Sequence, residues 1–408
     1  SASITIKYRK QITMKLVLAY SGGLDTSYCA KSLSKDKGFE VHAVSVNTGG
    51  FSTEEIKEIE RKALQLGATS YTSIDAVQTF YEKVVKYLIF GNVLKNNTYP
   101  LSVSAERIVQ AIEIVNYANK VGAKYIAHGS TGAGNDQVRF DMIFQIIAPE
   151  IEIITPIRDN KLSREAEIAY LKENGVDYPW EKAKYSINRG LWGTSVGGEE
   201  TLTSNKALPD SAYPSQLKEK NPTDITLTFE KGELVAVNGE KDSPVANIEK
   251  VEAIASKYAI GRDIHVGDTI IGTKGRVGFE APASLIVIKA HHLLEKHTLT
   301  KWQQYQKEQQ GNFYGMLLHE GNYLDAVMRN IETFLTDTQK NVSGDVFVGL
   351  YPFQFRLHGI SSKHDLMTDA FGKYGEVNKG WSADDAKGFI KILSNSGKIY
   401  NHVNGNND

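Results

Sequence analysis

The chain has 408 residues, with 47 Lys and Arg set against 48 Asp and Glu. That balance leaves no basic surplus for a nucleic-acid footprint, and no apolar run reaches membrane-spanning length. A hydrophobic share of 41% and a charged share of 23% suit a globular protein of two or three domains with a sizeable core. The single cysteine, Cys29, excludes an internal disulfide and a cysteine metal cluster, and it fits a reducing, cytoplasmic setting.

Residues 1–13 precede Met14 and lack an apolar stretch of signal-peptide length. They read as an N-terminal extension, with Met14 opening the folded part. Residues 15–20 have strand character and run into Ser21-Gly22-Gly23-Leu24-Asp25-Thr26-Ser27, which opens a helix. Unpaired backbone N–H groups and three hydroxyls (Ser21, Thr26, Ser27) then gather at a helix N-terminus, a place that binds phosphate. Gly22 and Gly23 let the backbone turn sharply and approach an anion. No Gly-Lys-Ser/Thr follows, so this is not a Walker loop, and the spacing is not that of a dinucleotide fingerprint. The competing reading is an ordinary tight turn capped by Asp25. Cys29, on the same helix, reads as a small packed residue.

Up to about residue 175, strand-like runs (15–20, 40–46, 69–74, 125–127, 151–154) alternate with helical stretches (53–66, 76–90, 105–121). This predicts a doubly wound parallel sheet, with ligands at the carboxyl ends of its strands. A second constellation, His128-Gly129-Ser130-Thr131-Gly132-Ala133-Gly134-Asn135-Asp136-Gln137-Val138-Arg139-Phe140, follows a short strand. It clusters a carboxylate, an amide and a guanidinium beside a glycine loop. An amino-acid substrate needs those groups: a cation for its carboxylate and an acceptor for its amine. Taken alone, the segment also reads as a structural loop with Asn135 or Asp136 capping a helix.

The second half changes character. Residues 185–222 are rich in Gly, Ser, Thr and Asn with weak periodicity, and 225–240 alternate as a hairpin turning at Lys231-Gly232, with a further turn at Asn238-Gly239. Residues 248–258 read as helix, 283–318 as one or two long helices, and 346–357 as paired strands. An α+β second domain follows. His291, His292, Glu295 and His297 miss the spacing of zinc-protease motifs and read as a helix surface. Tyr305, Phe313, Tyr314 and Tyr323 read as core or subunit packing, His358 as structural, and the tail 401–408 as frayed.

The Ser-Gly-Gly loop resembles the pyrophosphate-binding loop of the ATP pyrophosphatase superfamily. Together, SGGLDTS and HG-x-TG-x-GNDQVRF resemble argininosuccinate synthases, a likeness running from Met14 to about residue 395. The resemblance implies an ATP-dependent ligation of citrulline and aspartate through a citrulline adenylate, releasing AMP and pyrophosphate. It implies ATP at Ala19, Tyr20, Ser21, Gly22, Gly23, Leu24, Asp25, Thr26 and Ser27, with Val46 beside the adenine and Gly129 on the nucleotide. Thr131, Asn135 and Asp136 would hold aspartate. Tyr99, Ser104, Asn135, Arg139, Ser186 and Ser195 would reach citrulline. Asp25 and Asp136 would be the catalytic carboxylates, Asp136 either holding or deprotonating the aspartate amine. Mg²⁺ would ride on the ATP phosphates, with no metal site of the protein's own. The partners implied are these small molecules and further copies of the chain in a homotetramer, with neither nucleic acid nor membrane. The boundaries expected are 14–177 for the nucleotide-binding domain, 178–372 for the synthetase domain and 373–408 for an oligomerisation tail.

Three positions depart from the better-known branch of that family. Gly267 falls where a citrulline-contacting glutamate is expected, Phe279 where a tyrosine is, and Val103 where a threonine is. Either Asp268 or Glu280 takes over as acceptor, or the substrate is an α-N-acylated citrulline. Two other classes stay in view: a tRNA-modifying enzyme of the same superfamily, disfavoured by the single cysteine and the net charge of −1, and a non-catalytic adenine-nucleotide sensor.

Overall fold

The computed structural model describes residues 14–180, 184–376 and 379–405; the extension at 1–13 and the last three residues lie outside that range. Strand β1 (Lys15–Ala19) leads into helix α1 (Leu24–Lys35), followed by β2 (Glu40–Asn47), α2 (Thr53–Gln65) and β3 (Ser70–Asp75). Helix α3 (Val77–Phe80), a π-helical turn at Tyr81–Val85 and α4 (Lys86–Phe90) fill the stretch expected as one helix. Then come α5 (Ser102–Lys120), β4 (Tyr125–Ala127), α6 (Asp136–Ile147), β5 (Glu152–Ile154), α7 (Pro156–Asp159) and α8 (Arg164–Glu173).

Strands β1 to β5 form one parallel sheet in the order β3-β2-β1-β4-β5. Leu16, Val17 and Leu18 of β1 have no exposed surface, because helices cover both faces of the sheet. That is why β1 reads as an unbroken apolar run rather than an alternating one. The strand order reverses between β1 and β4, so the loops leaving these two neighbours diverge and open a crevice.

The remaining chain builds two antiparallel sheets. Strands β6 (Ser186–Gly190) and β7 (Gly193–Gly197) pair with a later hairpin, and β8 (Thr223–Glu230), β9 (Glu233–Val237) and β10 (Glu240–Lys241) form the expected hairpin and turn. After α9 (Pro244–Ala255), strands β11 (Arg262–Asp268) and β12 (Lys274–Glu280) complete the sheet β11-β12-β7-β6. Helices α10 (Pro282–Thr298), α11 (Lys301–His319) and α12 (Ala326–Thr338) precede β13 (Gly344–Tyr351) and β14 (Gln354–Ser361), which close the sheet β10-β9-β8-β13-β14. The chain ends in α13 (Ala383–Leu393) and α14 (Asn395–Asn404). The fold is therefore α/β, a nucleotide-binding-type parallel sheet followed by antiparallel sheets with helices.

Four expectations need correction. Strands β6 and β7 lie where the periodicity was weak, and β11 and β12 in a stretch for which no element was expected. Gly190, Gly193, Gly197, Gly267, Gly275 and Gly278 remove side chains that would have marked alternation. Helix α5 begins three residues before the expected start. Leu101 enters it in the left-handed region at φ 62°, a conformation bulky residues adopt only when the surroundings hold them there. His291 and Glu295 are not on a helix surface: both are fully buried, in a polar network with Asn92, Lys307 and Gln339. The tail is helical as far as Asn404 rather than frayed from residue 401. Of the four aromatics, Tyr314 and Tyr323 are core, whereas Tyr305 and Phe313 are exposed.

Candidate active site

A cavity of about 790 Å³ opens at the carboxyl ends of β1, β2 and β4. Its floor is the Ser-Gly-Gly turn. Gly22 takes φ +79°, and a Cβ there would press to 3.2 Å on Ile59 of α2. The turn is closed by Thr26, whose hydroxyl lies 3.3 Å from the Ser21 hydroxyl and 3.4 Å from the Gly23 carbonyl. Gly23 caps α1 without any side-chain acceptor. The first N–H groups of α1 are therefore left for an anion. Gly129, after β4, closes against this turn: a Cβ on it would sit 3.1 Å from Asp25 Cβ. Under the loop, burial first and Asp25 second push the Glu167 carboxyl up to about 9. That shift favours the uncharged form of Glu167 beneath the turn.

The second loop is held by a relay. His128 Nδ1 accepts from the Ser130 N–H (3.2 Å) and Nε2 donates to Asp141 (2.7 Å), which Arg158 also binds (2.7 Å). At its far end α6 presents Asp136 to two guanidinium groups, Arg107 (3.0 Å) and Arg139 (2.9 Å). Burial opposes ionisation of Asp136, but Arg107 and Arg139 outweigh it and hold its carboxyl below the usual range. Arg139 is itself fixed by the His319 carbonyl and the Ser104 hydroxyl, each at 3.0 Å. Arg107 extends the network to Gln110 (2.9 Å) and Asn188 (3.0 Å). The result is a preorganised electrostatic surface beside a phosphate loop.

Most of the residues expected from sequence line this cavity: Ala19, Tyr20, Ser21, Gly23, Leu24, Asp25, Thr26, Val46, Gly129, Thr131, Asn135, Asp136, Arg139 and Ser186. Five do not. Gly22 and Ser27 support the loop from behind. Ser104 lies behind Arg139. Tyr99 is buried, with its hydroxyl 3.2 Å from that of Ser102 and its ring stacked on His265 at 5.0 Å. Ser195 is buried in the sheet opposite Phe279. Asn135 starts α6 but makes no side-chain cap; its Oδ1 accepts from the Ile270 N–H at 2.8 Å, tying the β11–β12 hairpin to the glycine loop.

A side chain at Gly267 would have to displace its neighbours, since a Cβ would meet His265 Nε2 at 2.8 Å and Asn96 Nδ2 at 3.1 Å. Neither proposed substitute acceptor reaches the cavity. Asp268 pairs with Lys274 in solvent at 2.6 Å. Glu280 points to the face of β12 opposite Phe279, where it pairs with Arg262 at 3.1 Å.

Sequence reading missed Thr48, Glu106, Arg107, Gln110 and Asn188, all of which line the cavity. The available signal was Glu106-Arg107 interrupting the apolar run of α5, where Ala105, Ile108, Val109 and Ala111 are buried around them.

Two family models match the chain: the arginosuccinate synthase N-terminal HUP domain over residues 15–177 and the arginosuccinate synthase C-terminal domain over residues 185–400. The chain belongs to the argininosuccinate synthase family. Argininosuccinate synthase of Methanocaldococcus jannaschii is 39% identical over 387 residues, 94% of this chain and 97% of its own length. That of Dictyoglomus thermophilum is 35% identical over 397 residues, covering 97% and 99%. That of Xanthomonas campestris pv. campestris is 34% identical over 401 residues, covering 95% and 98%. Membership makes the protein an ATP-dependent ligase of this family.

Proposed function

We propose that the cavity joins citrulline to aspartate in two steps. The ureido oxygen attacks the α-phosphorus of ATP and pyrophosphate leaves; the aspartate amine then attacks the activated carbon and AMP leaves. The supporting observation is the meeting of two loops at the switch point: orphan N–H groups and the Ser21 and Thr26 hydroxyls for the phosphates, and Asp136 between two guanidiniums for an amino-acid substrate. Negative charge grows on the leaving pyrophosphate, where those preorganised donors act. Thr131, Asn135 and Asp136 would hold aspartate; Arg139, Ser186 and Asn135 would hold citrulline, with Tyr99, Ser104 and Ser195 shaping that end from behind. A carboxylate gripped by two guanidiniums is a weak base, so Asp136 suits an anchoring role for the ammonium. Holding three substrates together accounts for much of the acceleration.

Mg²⁺ would accompany ATP. Among the described residues no group of three or more His, Cys, Asp or Glu could hold a metal ion. The test of the function is pyrophosphate release from Mg·ATP with citrulline and aspartate omitted in turn. The expected result is release that requires citrulline, with AMP and argininosuccinate formed in equal amounts. ATP binding with no substrate-dependent release would replace the reading by a nucleotide sensor.

A homotetramer in the cytoplasm belongs to the same proposal, with a nucleotide-binding domain over 14–177, a synthetase domain over 178–372 and a tail over 373–408. Helix α13 buries none of its residues, yet it carries Phe389, Ile390, Ile392 and Leu393, each more than 60% exposed; Ile399, Tyr400 and Val403 continue the apolar surface on α14. Such a surface asks for a partner, and the partner proposed is another copy of the chain. Removing residues 373–408 is expected to reduce the mass by light scattering from that of an oligomer to that of smaller species; an unchanged mass would rule out the tail as the contact.

A further inference from the structure

Glu106 has no part in the anchoring just described, yet it lines the same cavity and is only 3% exposed. Helix α5 presents Glu106 and Arg107 side by side to strand β6. Alternation along β6 puts Ser186, Asn188 and Gly190 on the face they meet. Asn188 binds Arg107, and Gly190 makes room for Glu106: a Cβ there would lie 2.0 Å from Glu106 Oε2. Arg189, between them, points the other way to Glu55 at 2.6 Å.

The groups facing this carboxyl are few. On its own helix, Arg107 reaches Oε1 at 3.3 Å, and from the end of β2 the Thr48 hydroxyl reaches Oε2 at 3.2 Å. From α6, Asp136 shares the Arg107 guanidinium, so the two carboxylates flank one cation. The other acceptors of the cavity are committed: Asp136 to two guanidiniums, His128 to Asp141 and Ser130, and Asp25 to the Glu167 carboxyl. Burial raises Glu106 to about 7 against the pull of Arg107 and Thr48, and Asp136 adds to the rise.

We propose that Glu106 is a catalytic residue of the second step, the acceptor of a proton from the aspartate ammonium. This rests on the ligation proposed above. The ammonium gives one proton to Glu106, and the freed lone pair forms the N–C bond to the activated carbon. The C–O bond to AMP breaks with its electron pair going to the AMP phosphate oxygen. The second proton on the attacking nitrogen, acidic once the N–C bond exists, passes to water and the guanidinium remains. Glu106 returns its proton to water before the next turnover. The position fits: an amine anchored by Asp136 and moving toward a carbon near Ser186 passes along Arg107, beside Glu106.

The test compares the wild type with Glu106→Gln and Gly190→Ala, after thermal melting has shown all three folded. Wild-type kcat/KM for aspartate should rise with pH through about 7 and level off, since the base works when deprotonated. Glu106→Gln should lower kcat by roughly 10²-fold and flatten that rise. Citrulline-dependent exchange of radiolabelled pyrophosphate into ATP, measured without aspartate, should fall far less. Gly190→Ala, which keeps the carboxyl but displaces it, should lower kcat and leave exchange in the same way. A pH rise persisting in Glu106→Gln, or exchange lost as severely as turnover, would overturn the assignment. A wild type with no citrulline-dependent pyrophosphate release would instead overturn the ligation reading itself.

Discussion

Asp136→Ala is expected to lower kcat/KM for aspartate by roughly 10³-fold, about 4 kcal/mol of transition-state stabilisation. Two losses combine. The aspartate ammonium loses its anionic partner, and Arg107 and Arg139 lose the carboxylate that both hydrogen-bond at 3.0 and 2.9 Å. Arg107 and Arg139 have little surface of their own, with side chains 15% and 4% exposed, so water cannot replace the missing charge well. Their remaining partners, Glu106, Asn188, Gln110, Ser104 and the His319 carbonyl, would keep the guanidiniums near their places. The defect should therefore fall on aspartate more than on ATP. Steady-state kinetics with each substrate varied in turn checks this; a change confined to KM for ATP would contradict it.

The same pair carries a pH signature. Asp136 titrates below its unfolded value in the folded protein. Its stabilisation is therefore complete above about pH 4 and is lost as pH falls through the folded pKa. Asp136→Ala should be less stable than the wild type at neutral pH, and the gap should narrow under acid. Urea midpoints for the two proteins at several pH values measure it; a gap constant down to pH 3 would show that the carboxylate is not the source.

Lys307→Met is expected to destabilise the fold by about 3–5 kcal/mol with no residue of the cavity touched. Lys307 and Glu295 form an ion pair at 3.0 Å, with side chains only 3% and 1% exposed. Lys307 also donates to the Phe90 carbonyl at the end of α4. Glu295 is reached by Asn92 and Gln339, which both also bond His291. The network thus ties the end of α4, on the parallel-sheet side, to α10, α11 and the turn after α12. Methionine fills the volume of the lysine stem but leaves Glu295 as an unpaired buried charge, and that is the costly part. The double variant Lys307→Met with Glu295→Gln should recover part of the loss, because the uncompensated charge is gone. Denaturant midpoints decide; a loss under about 1 kcal/mol for the single variant would mean that water or rearrangement satisfies Glu295.

Much of the site lies in two short continuous segments, which is why it could be read along the chain. Ser21–Ser27 and His128–Arg139 each carry their own turn, glycine and functional side chains. Each follows a strand whose apolar run was legible. The parallel sheet, and the strand ends at which the cavity opens, followed from those local patterns. Strand order and the switch point between β1 and β4 agreed with the alternation of strands and helices.

Other features depend on neighbours distant in sequence. Glu106 and Arg107 fell inside a stretch read only as helix; the approach of β6, about 80 residues later, and of α6 buries them and gives Arg107 its partners. Asp268 and Glu280 looked available as acceptors until the pleat of β11 and β12 turned one to solvent and the other to Arg262. His291 and Glu295 were spaced like a helix surface, yet α11 and the turn after α12 enclose them. The sequence by itself determined the two glycine loops that line the cavity, because backbone geometry and nearby side chains suffice to make them. Tertiary structure alone decided which charges are buried and which of them titrate near neutrality, because desolvation depends on what packs against a group and not on its neighbours in the chain.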